Sequence, residues 1–490
     1  WLQISMNAQP SDLSVDMLKA ISAGWFYVPF NQIGGPDRLA AEKGMLTFKP
    51  KFAEDDDPPL RLYRELTSRG FLGVPRAYGM ARFPWLGITD NRSYGEEIAM
   101  PPRLPDPNHP RVKEPEKQAA FMQDLLQGLQ VHQNFTAMAS TGSGKTVCAL
   151  WAASQLRRKT LILVHLERLM EQWLEEIRDK LGLPESRIGK VQSDVCQYHG
   201  RDFVVGMMPS ISMRRDYPED FYRSFGTVIV DECHRVGSPL LSQCVPLFPA
   251  VYRLGLSATP KRKDGADRVG FWHIGPIMVT SKAKALECTV YVKRFRSRTP
   301  LWGNNAIVRA KCLSQDKQRN LELVSLIQRT YRAGRNILVI GKFVDHLQNL
   351  MELCVQYGIP HSDMGQYTGQ RFIRQKVLTP EGMKVKTVRK VNISNREYAR
   401  VKAESRIIFA TYGVFREGID VPRLDCGIDV LPQSDAEQVI GRIRRPMEGK
   451  PSPYWITLVD ENCVFSQQMF TNRLKDYAKT GCRVVESPSI

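Results

Sequence analysis

Short, uninterrupted apolar runs recur along the chain, and stretches with helical periodicity follow them. Clear examples are residues 135–138, 225–230 and 336–341. Runs of this kind are typical of strands buried on both faces, as in parallel sheets. Alternation of such strands with helices predicts βαβ units. The pattern therefore predicts an α/β fold with parallel sheets flanked by helices, and 490 residues are too many for one core.

The distribution of proline and charge predicts where the domains begin and end. Residues 95–116 are rich in both, which predicts a linker. We expect a small N-terminal accessory domain at residues 1–94, a first lobe at 117–290 and a second lobe at 291–490.

Within the accessory domain, residues 46–52 read as a strand and 60–68 as a helix. Basic and aromatic residues then interleave: Arg69, Phe71, Arg76, Tyr78, Arg82, Phe83 and Trp85. This mixture suits phosphate contact with base stacking, and the domain is therefore a candidate DNA-binding element. The alternative, which we favour, is a small aromatic core with the arginines outside.

Composition narrows the class of protein. The ten cysteines are scattered without a C-x-x-C pair, which argues against a zinc ribbon or a disulfide framework and suits a reducing, cytoplasmic location. The sequence shows no run approaching the ~18 apolar residues of a membrane helix. A net charge of +18 favours a polyanionic partner such as nucleic acid, although a merely basic soluble protein has the same composition.

Residues 139–146, ASTGSGKT, lie between an apolar strand and a helical stretch. This is the P-loop arrangement, with Ala139 in place of the usual first glycine. Backbone N–H groups of such a loop point at phosphates, Lys145 reaches the β- and γ-phosphates, and the Thr146 hydroxyl ligates Mg²⁺. The predicted cradle consists of Thr141, Gly142, Ser143, Gly144, Lys145 and Thr146. A Gly/Ser turn that happens to hold a lysine is the alternative, but the full spacing argues against it.

The apolar run 225–230 ends in the sequence Asp231-Glu-Cys-His234. Ligands of open α/β sheets gather at the carboxyl ends of the strands, so this run places acidic groups beside the P-loop. Asp231 would hold Mg²⁺ through water, and Glu232 would polarise the attacking water. An isolated Asp-Glu pair at a strand end is usually a solvated turn, and the P-loop upstream makes the catalytic interpretation more specific.

Together with four further segments, these motifs resemble the superfamily 2 helicases of the DEAD/DEAH-like group. Segment 253–265 (RLGLSATPKRKDG) is similar to motif III, 159–172 to motif Ia, 407–422 to motif V and 438–445 to motif VI. The DECH box and its companions most resemble phage and bacterial branch-migration and repair DNA helicases. The resemblance implies two tandem RecA-like lobes that hydrolyse ATP between them, with ATP and Mg²⁺ as cofactors.

The resemblance also assigns roles to individual positions. Residues assigned to ATP are Gln118 for adenine, Asp420 for the ribose, and Gln438, Arg442 and Arg445 for catalysis at the γ-phosphate. Residues assigned to coupling nucleotide state to lobe movement are His234, Ser257 and Thr259. Residues assigned to nucleic-acid binding are Arg168, Ser210, Thr368, Gly369 and Thr411. Arg442 and Arg445 are three positions apart, so a helix would place both on one face.

Two segments lie outside the motifs. Residues 371–406 carry eleven Lys/Arg against three acids. Our hypothesis is a basic hairpin or arm over the nucleic-acid channel, and the alternative is a solvated, disordered insertion. Near the C-terminus, Phe465, Phe470, Arg473 and Tyr477 have helical spacing, which predicts a helix packed on the second lobe.

The sequence as a whole predicts an ATP-dependent DNA helicase or translocase that unwinds or branch-migrates forked or junction DNA. We expect it to act as a monomer, in the cytoplasm of a bacterial or phage-infected cell. Three alternatives are kept: a double-stranded DNA translocase of a restriction or remodelling system, an RNA helicase, and a non-catalytic nucleic-acid-binding scaffold.

Overall fold

The structure is a computed structural model. It describes residues 19–50, 58–109, 112, 114–140, 143–214, 216–258, 264–281, 286–297, 301, 303, 305–379, 382–416, 421–433, 437–445 and 447–486, without the side chains of 374–379, 382–388, 395, 416 and 437–438. The chain forms two compact units, residues 1–283 and 284–490. Among the described residues, no helix has the length and apolar character needed to span a membrane.

The first unit is built on a small sheet followed by a large one. Its elements are β1 (Ala20–Ser22), β2 (Trp25–Pro29), α1 (Phe30–Ile33), α2 (Pro36–Met45), β3 (Thr47–Phe48), β4 (Leu60–Arg61), β5 (Arg64–Leu66), β6 (Phe71–Pro75), α3 (Arg76–Arg82), β7 (Ile88–Asp90), α4 (Pro115–His132), β8 (Asn134–Met138), α5 (Lys145–Gln155), β9 (Thr160–Val164), α6 (Glu167–Leu181), β10 (Ile188–Gln192), β11 (Val195–Cys196), β12 (Phe203–Met207), α7 (Met208–Met213), α8 (Glu219–Arg223), β13 (Thr227–Asp231), β14 (Tyr252–Ser257), α9 (Asp267–Ile274) and β15 (Ile277–Thr280).

The large sheet has the strand order β11-β10-β12-β9-β13-β14-β8-β15. All its neighbours are parallel except the antiparallel pair β10 and β11. Every residue of β9, β12 and β13 is buried, which explains why these strands are continuous apolar runs in the sequence. The predicted parallel α/β lobe is confirmed.

The small sheet has the order β5-β6-β2-β1-β7 and is antiparallel except for the parallel pair β1 and β7. Its buried side chains, such as Phe26 and Val28, share one hydrophobic cluster with Leu161 and Leu163 of the large sheet. The accessory element is therefore a layer that packs directly on the lobe.

Arg76, at the start of α3, is fully buried between this layer and the lobe. Its Nη1 donates to the carbonyl oxygens of Ala23 at 3.2 Å and Ala250 at 2.7 Å. Its Nη2 donates to Asn134 Oδ1. Burial lowers the pKa of Arg76 well below its usual value. The interpretation that the arginines lie outside an aromatic core is wrong for Arg76, because its guanidinium supplies donors to buried carbonyl groups.

Arg253 of β14 makes a second connection of the same kind. It donates to the carbonyl oxygens of His273 at 2.9 Å, Gly24 at 2.8 Å and Phe248 at 2.8 Å. Gly24 approaches the lobe so closely that a Cβ there would lie 2.1 Å from the carbonyl oxygen of Pro246. Burial lowers the pKa of Arg253 to about 9.

The second unit is built on one large parallel sheet with a separate hairpin. Its elements are β16 (Thr289–Phe295), α10 (Ala306–Gln315), α11 (Lys317–Arg332), β17 (Ile337–Gly341), α12 (Val344–Gln356), β18 (Met364–Tyr367), β19 (Gln370–Thr379), β20 (Gly382–Asn392), α13 (Asn395–Glu404), β21 (Ile407–Thr411), α14 (Tyr412–Arg416), β22 (Cys426–Asp429), α15 (Glu437–Ile443), β23 (Tyr454–Asp460), α16 (Val464–Lys479) and β24 (Arg483–Glu486).

The sheet of the second unit has the order β18-β21-β17-β22-β23-β16-β24, and all its neighbours are parallel. This confirms the second predicted lobe. Its first strand, β16, begins at Thr289, two residues before the predicted boundary. The predicted C-terminal helix is α16, which buries Phe465, Phe470, Arg473 and Tyr477.

Much of the basic insertion forms the antiparallel hairpin of β19 and β20. The insertion thus contains a hairpin, and its place over a nucleic-acid channel stays a prediction. Helix α13 follows directly and leads the chain back to the sheet at β21.

Two local predictions differ from the structure. Residues 60–68 are not a helix, because β4 pairs with β3 and β5 pairs with β6, and these tertiary pairings outweigh the helical spacing. The strand predicted at 46–52 is limited to β3, and residues 51–57 lie outside the described part of the chain.

The segment predicted as a linker is also more ordered than expected. Glu96 accepts an ion pair from Lys159 at 2.6 Å, Ile98 N donates to the Arg157 carbonyl, and α4 already begins at Pro115. Residues 95–104 therefore run along the surface of the first lobe, where Lys159 is fully buried and requires an acidic partner.

We expect Arg76→Met to lower the free energy of unfolding by about 2–4 kcal/mol, because three buried acceptors lose their donor. Urea unfolding followed by tryptophan fluorescence measures this difference. The control is Lys43→Met in α2 of the same layer, which removes a partly exposed ion pair with Glu65 and should cost at most about 1 kcal/mol. Equal unfolding curves for the two variants would contradict the role of Arg76.

Candidate nucleotide site and nucleic-acid contacts

Three strand ends meet at one edge of the large sheet in the first unit. β13, β14 and β8 are parallel neighbours, so their last residues, Asp231, Ser257 and Met138, lie side by side. The backbone N–H of Ala139, the first residue of the P-loop, donates to the carbonyl of Ser257 at 3.1 Å. The motifs predicted to bind phosphate, to hold the metal and to couple ATP to movement therefore converge at this edge, where ligands of open parallel sheets bind.

The described part of the P-loop leads directly into α5, which begins at Lys145. Gly144 has φ 80°, and a Cβ at this position would lie 2.4 Å from Nε2 of Gln118. The positive φ favours glycine at this position, and Gln118 lies against the loop. Thr146 is in the first turn of α5, at the positive end of the helix dipole. Thr141 and Gly142 lie outside the described residues.

Lys145 and Glu232 form an ion pair across this edge, with 2.7 Å between Nζ and Oε1. Glu232 has φ 46° and ψ 51°, a left-handed conformation that costs a residue with a side chain free energy. The left-handed turn directly after β13 allows the Glu232 carboxylate to reach the lysine. Backbone strain of this kind is characteristic of functional positions.

Asp231, the last residue of β13, is 5% exposed and accepts two hydrogen bonds. Trp173 Nε1 donates to Oδ2 at 2.9 Å, and the backbone N–H of Glu232 donates to Oδ1 at 2.9 Å. Burial raises the pKa of Asp231, and the charge of Lys145 opposes that rise. The Asp231 carboxylate and the Thr146 hydroxyl are hard oxygen donors, which fit Mg²⁺.

His234 connects the DECH segment with the end of β14. Its Nδ1 lies 2.9 Å from Ser257 Oγ and 3.4 Å from Glu232 Oε2. Two of the three residues predicted to couple nucleotide state to movement are thus in contact, and Thr259 lies outside the described residues. Their coupling role stays a prediction.

The predicted nucleic-acid contacts differ in their surroundings. Gly369 is exposed, and Thr411, Arg168 and Ser210 are half-buried. Thr368 is fully buried, and its hydroxyl donates to the Gln370 carbonyl at 2.6 Å. The Thr368 hydroxyl is therefore used to shape the start of the hairpin, and a nucleic-acid contact at Thr368 stays a prediction.

Arg442 and Arg445 do not share one helical face. Helix α15 ends at Ile443, so Arg442 lies in its last turn and Arg445 lies beyond it. Pro446 follows in the sequence and disfavours helical geometry at Arg445. Burial lowers the pKa of Arg445 to about 10. The side chain of Gln438 and all of Asp420 lie outside the described residues.

Sequence reasoning missed Trp173, which directly follows the segment that resembles motif Ia. The available signal was its place on the buried face of an amphipathic helix, three residues after Met170. A buried indole N–H needs an acceptor, and the spacing alone could not identify that acceptor as Asp231, 58 residues away.

Comparisons with known proteins relate the chain to several viral sequences. Residues 111–262 match the family described as "Type III restriction enzyme, res subunit". The putative ATP-dependent RNA helicase L396 of Acanthamoeba polyphaga mimivirus is 26% identical over 86% of this chain and 76% of its own length. Probable helicase D10 of Escherichia phage T5 is 23% identical over 70% of this chain and 71% of its own length. The crystal structure of T4 UvsW is 17% identical, covers 92% of this chain and 96% of its own, and has a TM-score of 0.35.

We expect Glu232→Gln to reduce ATP turnover by about 100-fold or more, because a carboxylate that orients water is lost while the shape of the side chain remains. Lys145→Ala should abolish turnover through loss of the phosphate contact. Steady-state phosphate release measures both, and circular dichroism checks that both variants fold. Normal hydrolysis in either variant would show that the catalytic groups lie elsewhere.

Proposed function

We propose that the chain is a superfamily 2 helicase that hydrolyses ATP and acts on DNA, unwinding or branch-migrating forks and junctions. The observation that carries the ATPase assignment is the convergence of Lys145, Asp231 and Glu232 at the carboxyl ends of adjacent parallel strands. Intact groups at these positions argue against a non-catalytic scaffold.

Each group at this edge has a distinct proposed task. Lys145 binds the β- and γ-phosphates, and Glu232 orients the attacking water through its carboxylate. Asp231 and Thr146 hold Mg²⁺, which when bound neutralises charge on the phosphate oxygens. Ser257 and His234, whose Oγ and Nδ1 are 2.9 Å apart, couple the state of the nucleotide to movement of the lobes. The roles of Arg442 and Arg445 at the γ-phosphate stay predictions from the resemblance.

The choice of DNA rests on sequence similarity within the superfamily. The DECH box occurs here with RLGLSATPKRKDG, a combination that resembles DNA branch-migration and repair helicases. The family description that names a restriction enzyme favours a second candidate, a double-stranded DNA translocase. The mimivirus relative is named as an RNA helicase, so RNA is the alternative that an experiment must test.

The basic hairpin supports nucleic-acid binding by the second unit. β19 and β20 span residues 370–392, which contain seven Lys/Arg and one acid. The hairpin is attached to α12 through Gln348, whose Nε2 donates to the Phe372 carbonyl at 2.6 Å and whose Oε1 accepts from Phe372 N at 3.1 Å. This two-point attachment holds the base of the hairpin in a defined position.

A cavity of about 510 Å³ lies at the base of the hairpin. It is lined by Lys311, Lys342, Phe343, Val344, Asp345, Phe372 and Lys390. Lys311 forms an ion pair with Asp345, whereas Lys342 and Lys390 are exposed and have no acidic partner among the described side chains. Cations beside aromatic rings suit a nucleic-acid strand, because phosphates pair with lysines and bases stack on rings.

We expect the double variant Lys342→Ala/Lys390→Ala to bind nucleic acid more weakly. Its affinity for nucleic acid should also depend less on the salt concentration. Loss of two phosphate contacts should reduce the slope of log affinity against log salt by about 1.5. Fluorescence anisotropy at several salt concentrations measures the slope. The control Lys475→Ala/Lys479→Ala removes the same charge from α16 and should leave the slope nearly unchanged. Equal slopes in the two double variants would show that the cavity makes no specific contribution.

A panel of duplex substrates tests the proposed function itself. We expect ATP-dependent strand separation or branch migration on DNA forks and four-way junctions, with weak activity on RNA duplexes of the same shape. Displacement of a bound protein block without strand separation would favour the translocase. Faster unwinding of RNA than of DNA would contradict the proposal and favour an RNA helicase.

A further inference from the structure

Trp173 is a core residue with a polar contact at the ATPase centre. The buried face of α6 consists of Leu169, Met170, Trp173, Ile177 and Leu181. Trp173 is 1% exposed, and its Nε1–H donates to Asp231 Oδ2 at 2.9 Å. Packing alone would be satisfied by other apolar side chains of this size, whereas the N–H has a specific use only where it meets an acceptor.

The indole fixes one of the two carboxylate oxygens of Asp231. The other oxygen, Oδ1, accepts from the backbone of Glu232 at 2.9 Å. The two donors come from different elements, α6 and the turn after β13. A carboxylate held at both oxygens has little freedom to rotate, and its remaining lone pairs therefore keep a defined direction.

We propose that Trp173 is a positioning residue of the ATPase centre, orienting Asp231 for Mg²⁺ and linking that carboxylate to α6. The inference rests on the assignment of Asp231 to the metal in the proposed function. Such a residue behaves as the outer partner of a metal ligand, because it touches the ligand and not the metal.

The place of Trp173 on α6 gives this contact a second consequence. Arg168, a predicted nucleic-acid contact, lies five residues earlier on the same helix, which corresponds to about 7.5 Å along the axis. A helix moves as one body over this distance. Displacement of α6 by a nucleic-acid strand would therefore reach Asp231 through the indole, and stimulation of ATP hydrolysis by nucleic acid should depend on this hydrogen bond.

The chain offers a matched control for the substitution. In the second unit, Trp455 Nε1 donates to Asp429 Oδ2 at 2.8 Å, and both residues are buried. Asp429 ends β22 just as Asp231 ends β13. Trp455→Phe and Trp173→Phe thus remove the same kind of indole–carboxylate bond from the same kind of buried site, and only Trp173 touches the proposed metal ligand.

The experiment measures Mg²⁺-dependent binding of a fluorescent, non-hydrolysable ATP analogue. For Trp173→Phe we expect the half-saturating Mg²⁺ concentration to rise about 10-fold or more, as for other outer partners of metal ligands. Trp455→Phe should leave it unchanged. Replacing the Trp173 indole by its benzothiophene isostere, which exchanges the N–H for sulfur, should give the same rise with packing preserved. Thermal unfolding of each variant checks the fold.

A second readout is the factor by which DNA stimulates ATP hydrolysis at saturating Mg²⁺. It should fall in both Trp173 variants and persist in Trp455→Phe. An unchanged Mg²⁺ midpoint in the folded isostere variant, together with a raised midpoint in Asp231→Asn, would overturn the role of Trp173 and leave the proposed function standing. An unchanged midpoint in Asp231→Asn itself would refute the metal assignment, and the inference with it.

Discussion

The parallel pairing of β13, β14 and β8 is the constraint on which the functional edge of the first unit depends. Parallel strands in register deliver their carboxyl ends to the same edge, so residues far apart in the chain become neighbours without any local signal that joins them. Lys145 and Glu232 are 87 residues apart in sequence, and Lys145 Nζ lies 2.7 Å from Glu232 Oε1. Nearly every residue of these three strands is buried, so burial of the sheet and placement of the charged groups have the same origin.

Buried polar bonds then make that arrangement specific. An indole–carboxylate bond holds Asp231 at the end of β13, and another holds Asp429 at the end of β22. Asp429 also accepts from the Tyr412 hydroxyl at 2.9 Å, directly after Thr411. Each unit therefore holds an aspartate at a strand end through a tryptophan buried in its core. Donors that are satisfied in only one geometry favour a single arrangement of the backbone.

Specific hydrogen bonds also attach the N-terminal layer and the basic hairpin to the lobes that carry them. Arg76 and Arg253 fasten the N-terminal layer to the first lobe through buried carbonyl groups, and Gln348 fastens the basic hairpin to α12. These attachments suggest that the N-terminal layer and the hairpin act together with the lobes that carry them. The cavity at the base of the hairpin is lined by the exposed Lys390 of β20 and the exposed Lys342 that follows β17, so the proposed nucleic-acid contact involves both the hairpin and the sheet.

The sequence by itself determined the two parallel lobes, the P-loop and the acidic strand end, because buried apolar runs and glycine spacing are local properties. Pro446 also carried a local signal for the end of α15. Only the tertiary structure decided that Leu60–Arg61 and Arg64–Leu66 pair as strands, that Arg76 is buried, that Thr368 is turned inward and that Trp173 reaches Asp231. Each of these depends on a partner elsewhere in the fold, and the free energy of a buried polar group is set by that partner rather than by its neighbours in sequence.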